Sequence, residues 1–165
     1  MREIRIRLNK ESVNEAIKQV EQYKEYIIRA TRELGQALVE DGVQICRMKI
    51  IGYDAIETGN LLGSVEGFFD PISGKGIISC NAYSWNGMNY AALVEYGTGI
   101  VGAQNSSVEP KPSGYQHDVH NHGDQGWFYA NGRWTKGMPP RPFMWDTWVE
   151  LCNKTNEMVR EKFNG

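Results

Sequence analysis

Tyr90-Ala91-Ala92-Leu93-Val94-Glu95-Tyr96-Gly97-Thr98-Gly99-Ile100-Val101-Gly102 is the stretch whose reading decides the fold. A short apolar run stops at Gly97, and glycines then recur at 99 and 102. Asn89 fits an N-cap for a two-turn helix over Tyr90–Tyr96, with Gly97 at its C-terminal stop. Ala91, Ala92 and Val94 should face inward. The spacing 97–102 also satisfies G-x-G-x-x-G. That fingerprint binds dinucleotides when a strand enters the turn and a helix leaves it, aiming its N-terminus at the pyrophosphate. Here a short helix enters. Ile100–Val101 reads as a short strand, and a loop carrying Pro110 and Pro112 leaves. The favoured reading is a glycine helix stop and a tight turn that launches the 103–126 loop towards a neighbour.

Downstream, residues 103–126 show no periodicity and are expected to form a long polar loop. Trp127–Ala130 and Arg133–Thr135 flank Asn131-Gly132, which predicts a hairpin with a type I′ turn. Gly137–Arg141 reads as an extended connector, because residues before proline avoid the helical region. Pro142 suits the first position of a closing helix running to about Phe163. Trp145, Trp148, Leu151, Cys152, Thr155, Met158 and Val159 are its expected inner stripe.

Upstream, Arg2–Leu8 alternates strictly. Ile4, Ile6 and Leu8 take one face and Glu3, Arg5 and Arg7 the other, as in a half-buried edge strand. Ser12 with Glu15 predicts a capping box. Val13, Ala16, Ile17, Val20, Tyr23, Ile27, Ala30, Leu34, Ala37 and Leu38 then recur at helical spacing. The pattern persists to about Met48, with Gly35 and Gly42 as weak points. At ~1.5 Å per residue such a helix is roughly 45–55 Å long, more than a small domain spans. It must kink or project, and a projecting amphipathic helix needs a partner. Thr58-Gly59-Asn60 signals a turn and helix start, with Leu61–Val65 a helical turn leading into a strand. Val65–Phe69 and Gly76–Asn81 flank a turn over 70–75 and predict a β-hairpin, which Tyr83 and Trp85 extend or follow.

Composition bounds the possibilities. A chain of 165 residues with 41% hydrophobic residues is one domain able to bury a core. Net charge is −2, so no global field recruits nucleic acid. Residues 51–135 hold three Lys/Arg against eight Asp/Glu, an acidic balance that counts against phosphate binding there. Cys46, Cys80 and Cys152 lie far apart without a C-x-x-C pair, which reads as reduced, buried thiols in a cytosolic setting. The charged N-terminus lacks the apolar core of a secretory signal. No apolar run approaches the roughly 18 residues of a membrane helix.

Two clusters invite chemistry. His117, His120 and His122 lie within six residues, with Asp118 between them, and neutral imidazoles bind divalent metals. Their spacing is not that of a structural zinc site, so a solvated loop is the plainer reading. Glu95 is the best single acid–base candidate because its neighbours are apolar. Pairing with Arg141, or accepting backbone N–H bonds, is the plainer role. A metal-dependent hydrolase using the three histidines with Glu95 is the enzymatic alternative. The aromatic set Trp127, Phe128, Tyr129, Trp134, Phe143, Trp145 and Trp148 has few basic residues beside it. It therefore reads as core and protein–protein contact rather than base stacking.

Three stretches together carry a family resemblance. Thr58–Val65, TGNLLGSV, resembles the T-G-x-L-x-x-S-[IV] segment of the neck or tail-completion proteins of long-tailed bacteriophages and prophages, also labelled minor tail component or head–tail joining proteins. Tyr90–Thr98 resembles their Y-A-x-x-V-E-x-G-T, and Pro140–Met144 their P-x-P-F-[ML] start to the last helix. The order matches and the span covers most of the chain, with 103–135 longer and more aromatic. The resemblance implies a single α+β domain over 1–165, with a long N-terminal helix and a C-terminal helix packed on a small, mostly antiparallel β-sheet. It implies a virion structural protein with no catalytic, cofactor-binding or metal site. Such a protein would form a sixfold homo-oligomeric ring at the head–tail junction and touch head-completion or connector proteins and tail-terminator or tail-tube proteins. DNA would be passing cargo, no membrane would be involved, and the location would be the virion, or the host cytoplasm during assembly.

Overall fold

The computed structural model describes residues 9–55, 59–84, 87–105, 111, 113–129 and 132–163. The alternating segment Arg2–Leu8 lies outside them, as do Thr58, Trp85, Ala130 and Asn131. The architecture is α+β. A 43-residue helix, α1 (Lys10–Gly52), is followed by a helical turn, α2 (Asn60–Gly63), and a hairpin of β1 (Val65–Asp70) and β2 (Lys75–Cys80).

Helix α1 is longer than its periodicity implied, about 65 Å at the usual rise. Its cap is Asn9, three residues before the expected boundary. Asn9 is extended (φ −135°, ψ 157°), and its side chain accepts the Ser12 N–H at 2.8 Å. Gly35 and Gly42 are notches rather than weak points. A Cβ on Gly35 would lie 2.3 Å from the Phe69 ring, and one on Gly42 would lie 2.1 Å from Ile78 Cδ1 and 2.9 Å from Leu151 Cδ1. Small residues there let the hairpin and the last helix approach the α1 backbone.

The hairpin pairs Val65 with Cys80 through Asp70 with Lys75. Asp70 closes its turn by accepting from the Ile72 N–H at 2.9 Å and the Ser73 hydroxyl at 2.6 Å. Val65, Gly67, Phe69, Gly76 and Ile78 face α1, while Phe68 and Ile77, paired across the strands, stay exposed on the other face.

Two short helices follow, α3 (Ala91–Tyr96) and α4 (Gly99–Asn105). Ile100 and Val101 are thus helical, not a strand. The Asn89 side chain accepts the Ala91 N–H at 3.1 Å, close to its expected capping role. A second small antiparallel pair, β3 (Trp127–Phe128) and β4 (Trp134–Thr135), precedes β5 (Gly137–Met138) and the closing helix α5 (Phe143–Phe163). Tyr129 N–H bonds Arg133 C=O at 2.8 Å, so three residues, 130–132, separate the strands, with Gly132 at φ 77°. That register is not the two-residue connection of a type I′ turn; Ala130 and Asn131 themselves lie outside the described residues.

Helix α5 runs antiparallel to α1. Lys49 pairs with Glu150 at 2.8 Å near one end, and the Tyr26 hydroxyl donates to Lys162 C=O at 3.1 Å near the other. Its inner line is Phe143, Thr147 and Leu151. Trp145, Trp148, Cys152 and Val159, expected inside, are exposed. The core gathers Cys46 and Ile50 from α1 with Leu61, Val65, Ala82, Ala91, Val94 and Phe143. Among the described residues no helix is long and apolar enough to cross a membrane.

Candidate functional site

Helix α3 carries Glu95 into the interior, where it is 4% exposed. Its two carboxylate oxygens accept the backbone N–H groups of Met144 at 2.9 Å and Trp145 at 3.0 Å. These are orphan donors of the first turn of α5, and the positive end of the helix dipole favours an anion there. Glu95 is therefore the cap of α5, supplied from 49 residues away. Burial pushes its carboxyl above the ordinary range, the amides of Met144 and Trp145 pull against this, and Asp146 adds to the push. Arg141 does not pair with it; among the described residues no ion pair joins the two. Arg141 instead donates its backbone N–H to Val94 C=O at 2.9 Å, tying the connector to α3.

The glycine run is filled by the protein's own backbone. Gly97 has φ 75° and ψ 168°, a conformation essentially confined to glycine and distinct from the left-handed helical stop expected. A Cβ on it would lie 2.7 Å from both Met138 C=O and Pro140 N. Thr98 and Gly99 form bridges with Met138 and Gly137. The Gly99 N–H donates to His117 C=O and the Val101 N–H to Lys136 C=O. The amides that a phosphate would need are thus occupied by carbonyls from 117 and 136. A helix does leave the turn, contrary to the sequence reading, but a helix rather than a strand enters it.

Residues of the 103–126 segment fold back onto this junction instead of departing from it. The Tyr115 hydroxyl donates to Gly97 C=O, and His117 Nδ1 lies 3.1 Å from the same oxygen. That carbonyl only accepts, so a hydrogen bond there needs a proton on Nδ1, and among the described residues the buried His117 Nε2 has no hydrogen-bond partner. His122 Nδ1 sits 2.7 Å from Asp118, and its ring stacks on Trp127 at 4.6 Å. His117 and His122 are thus turned to separate tasks, the His120 ring lies edge-on to His122 at 5.6 Å, and the Glu95 carboxylate is taken up by the start of α5. Among the described residues no three His, Cys, Asp or Glu side chains come together as a metal ligand set. Tyr115 escaped the sequence reading because nothing local marks a contact made 18 residues away.

No family model, no curated protein and no solved structure matches the chain.

The remaining feature with functional content is surface. Val13, Ile17, Val20 and Tyr23 are between 41% and 55% exposed on the half of α1 that extends past the α5 contacts at Tyr26 and Glu33. Trp148, Phe128 and Phe68 are 62%, 70% and 63% exposed. The accessible surface, 11846 Å², exceeds the about 8,300 Å² typical of a compact chain of this mass.

Proposed function

We propose that this protein is a structural subunit of a bacteriophage or prophage head–tail junction, a neck or tail-completion protein that assembles as a ring. The observation that carries the reading is the uncovered apolar stripe on the projecting half of α1, at positions that a freely monomeric protein has no reason to make apolar. The three stretches behind the family resemblance add support. They meet in one joint: Leu61 and Val65, Ala91 and Val94, and Phe143 share the core, and Glu95 of the second stretch caps the helix opened by the third. Their residue types answer to a scaffold rather than to turnover. The acidic balance of 51–135 suits a channel wall past which DNA slides.

The test is composition and mass. The protein is expected in purified virions, and light scattering of a mixture with its neighbouring gene products should report a closed ring, sixfold by the resemblance. A protein absent from virions that stays monomeric in that mixture overturns the reading. Cryo-electron microscopy placing 51–135 on the outer wall would remove the channel role.

A further inference from the structure

Strand β1 has a free edge beside an open groove. Among the described residues β1 pairs only with β2, and a two-stranded sheet is marginal by itself. Arg47 donates from Nη2 to Val65 C=O at 3.1 Å, which shows that this carbonyl turns away from β2. By the alternation of an antiparallel ladder, the N–H and C=O groups of Gly67 and Phe69 turn to the same open side. The groove there, about 740 Å³, is floored by Val39 and Val43 and edged by Glu40, Asp41 and Glu66, with Arg47 the one cation among the described residues that line it.

The sequence holds a segment matched to this edge. Residues 2–8 alternate, with Ile4, Ile6 and Leu8 on one face and Arg5 and Arg7 on the other. Laid parallel along β1 with Arg5 opposite Glu66, the apolar face meets Val39 and Val43, Arg7 falls opposite Phe68 with Asp70 diagonal to it, and Glu3 falls opposite Ser64. The segment cannot reach the edge of its own chain. It is tethered at Asn9, and the near end of the hairpin sits where Arg32 bonds Pro71 C=O, 23 residues further along α1. That is about 35 Å of helix, while seven extended residues span at most about 25 Å. We propose that residues 2–8 of one copy add as a third strand to the free β1 edge of a second copy. The inference rests on the self-association part of the function proposed above and not on the virion role.

The test uses the full chain carrying Ile6→p-benzoylphenylalanine, mixed with ¹⁵N-labelled parent and irradiated. Cross-links are expected between an unlabelled and a labelled chain, mapping to residues 36–47 and 65–69. Cross-links confined within one chain, mapping elsewhere, or absent overturn the proposal. Glu66→Lys in the labelled chain should lower the inter-chain yield roughly two- to fivefold, the size of a cross-strand charge pair, and Arg5→Glu in the donor should restore it. An unchanged yield with Glu66→Lys counts against the register. A chain that keeps its ring mass with Ile6→Asp overturns strand exchange and leaves the ring reading standing.

Discussion

At the scale of single residues, Glu95 and Gly97 hold the molecule's central joint. Glu95→Ala strands the Met144 and Trp145 amides in the interior and should cost about 2–4 kcal/mol, read from the urea midpoint. Glu95→Gln keeps one acceptor oxygen but turns an NH2 towards the other amide, and should cost about 1–2 kcal/mol, less than Glu95→Ala. The pH dependence has a definite sign. Because burial raises the folded-state pKa of Glu95 above its unfolded value, its contribution is fully present below the unfolded pKa and is lost as pH rises through the folded one. The parent should therefore lose stability relative to Glu95→Gln across that window; a pH-independent difference would show that the amides cancel burial, and a slope of opposite sign that they outweigh it. Gly97→Val combines a forbidden backbone conformation with contact against Met138 and Pro140. It should cost about 2–5 kcal/mol, more than a helix stop alone implies. The thiols divide by environment. Cys152 is exposed, while burial, helped by Cys80, pushes the Cys46 thiol up to about 12. A thiol reagent at neutral pH should label Cys152 first and leave Cys46 until unfolding.

At the scale of elements, periodicity located α1 and the first hairpin well, because both bury one face at the spacing that defines them. Their ends were less legible. Asn9 and Ser12 are both good caps, and only the extended backbone at Asn9 decides between them. Asn9→Ala should speed amide exchange over residues 10–14 by several-fold, for a cap worth about 1 kcal/mol, whereas Ser12→Ala should leave exchange nearly unchanged. Equal effects would return the boundary to Ser12. The inner line of α5 was misjudged for a related reason. Aromatic size drew Trp145 and Trp148 inward, but Phe143, docked beside Val94, sets the rotation and leaves the tryptophans outside. Helix α4 was missed because its glycines lower helix propensity, while the contacts that hold it come from 117 and 136–138.

For the whole molecule, the division between closed core and open surface carries the functional reading. The C-terminal half of α1, the β1–β2 hairpin and α5 bury one another; the N-terminal half of α1 extends past them. Ile17→Asp with Val20→Asp should leave monomer stability within about 0.5 kcal/mol, as for exposed positions, and should reduce ring formation measured by light scattering. A double variant that assembles normally would move the interface off α1.

The sequence by itself determined the α+β class, the long amphipathic helix, the hairpin over 65–80 and the closing helix, because these depend on local periodicity and turn chemistry. It also marked Glu95 and the glycine run as unusual. Only the tertiary structure decided what they are. Glu95 is a helix cap because α5 starts beside it, and Gly97–Gly102 is a junction closed by the protein's own carbonyls because residues 115–117 and 136–140 fold back upon it. A hydrogen bond to a distant backbone amide needs only a carboxylate in the right place, and no residue pattern near position 95 records where that amide will be.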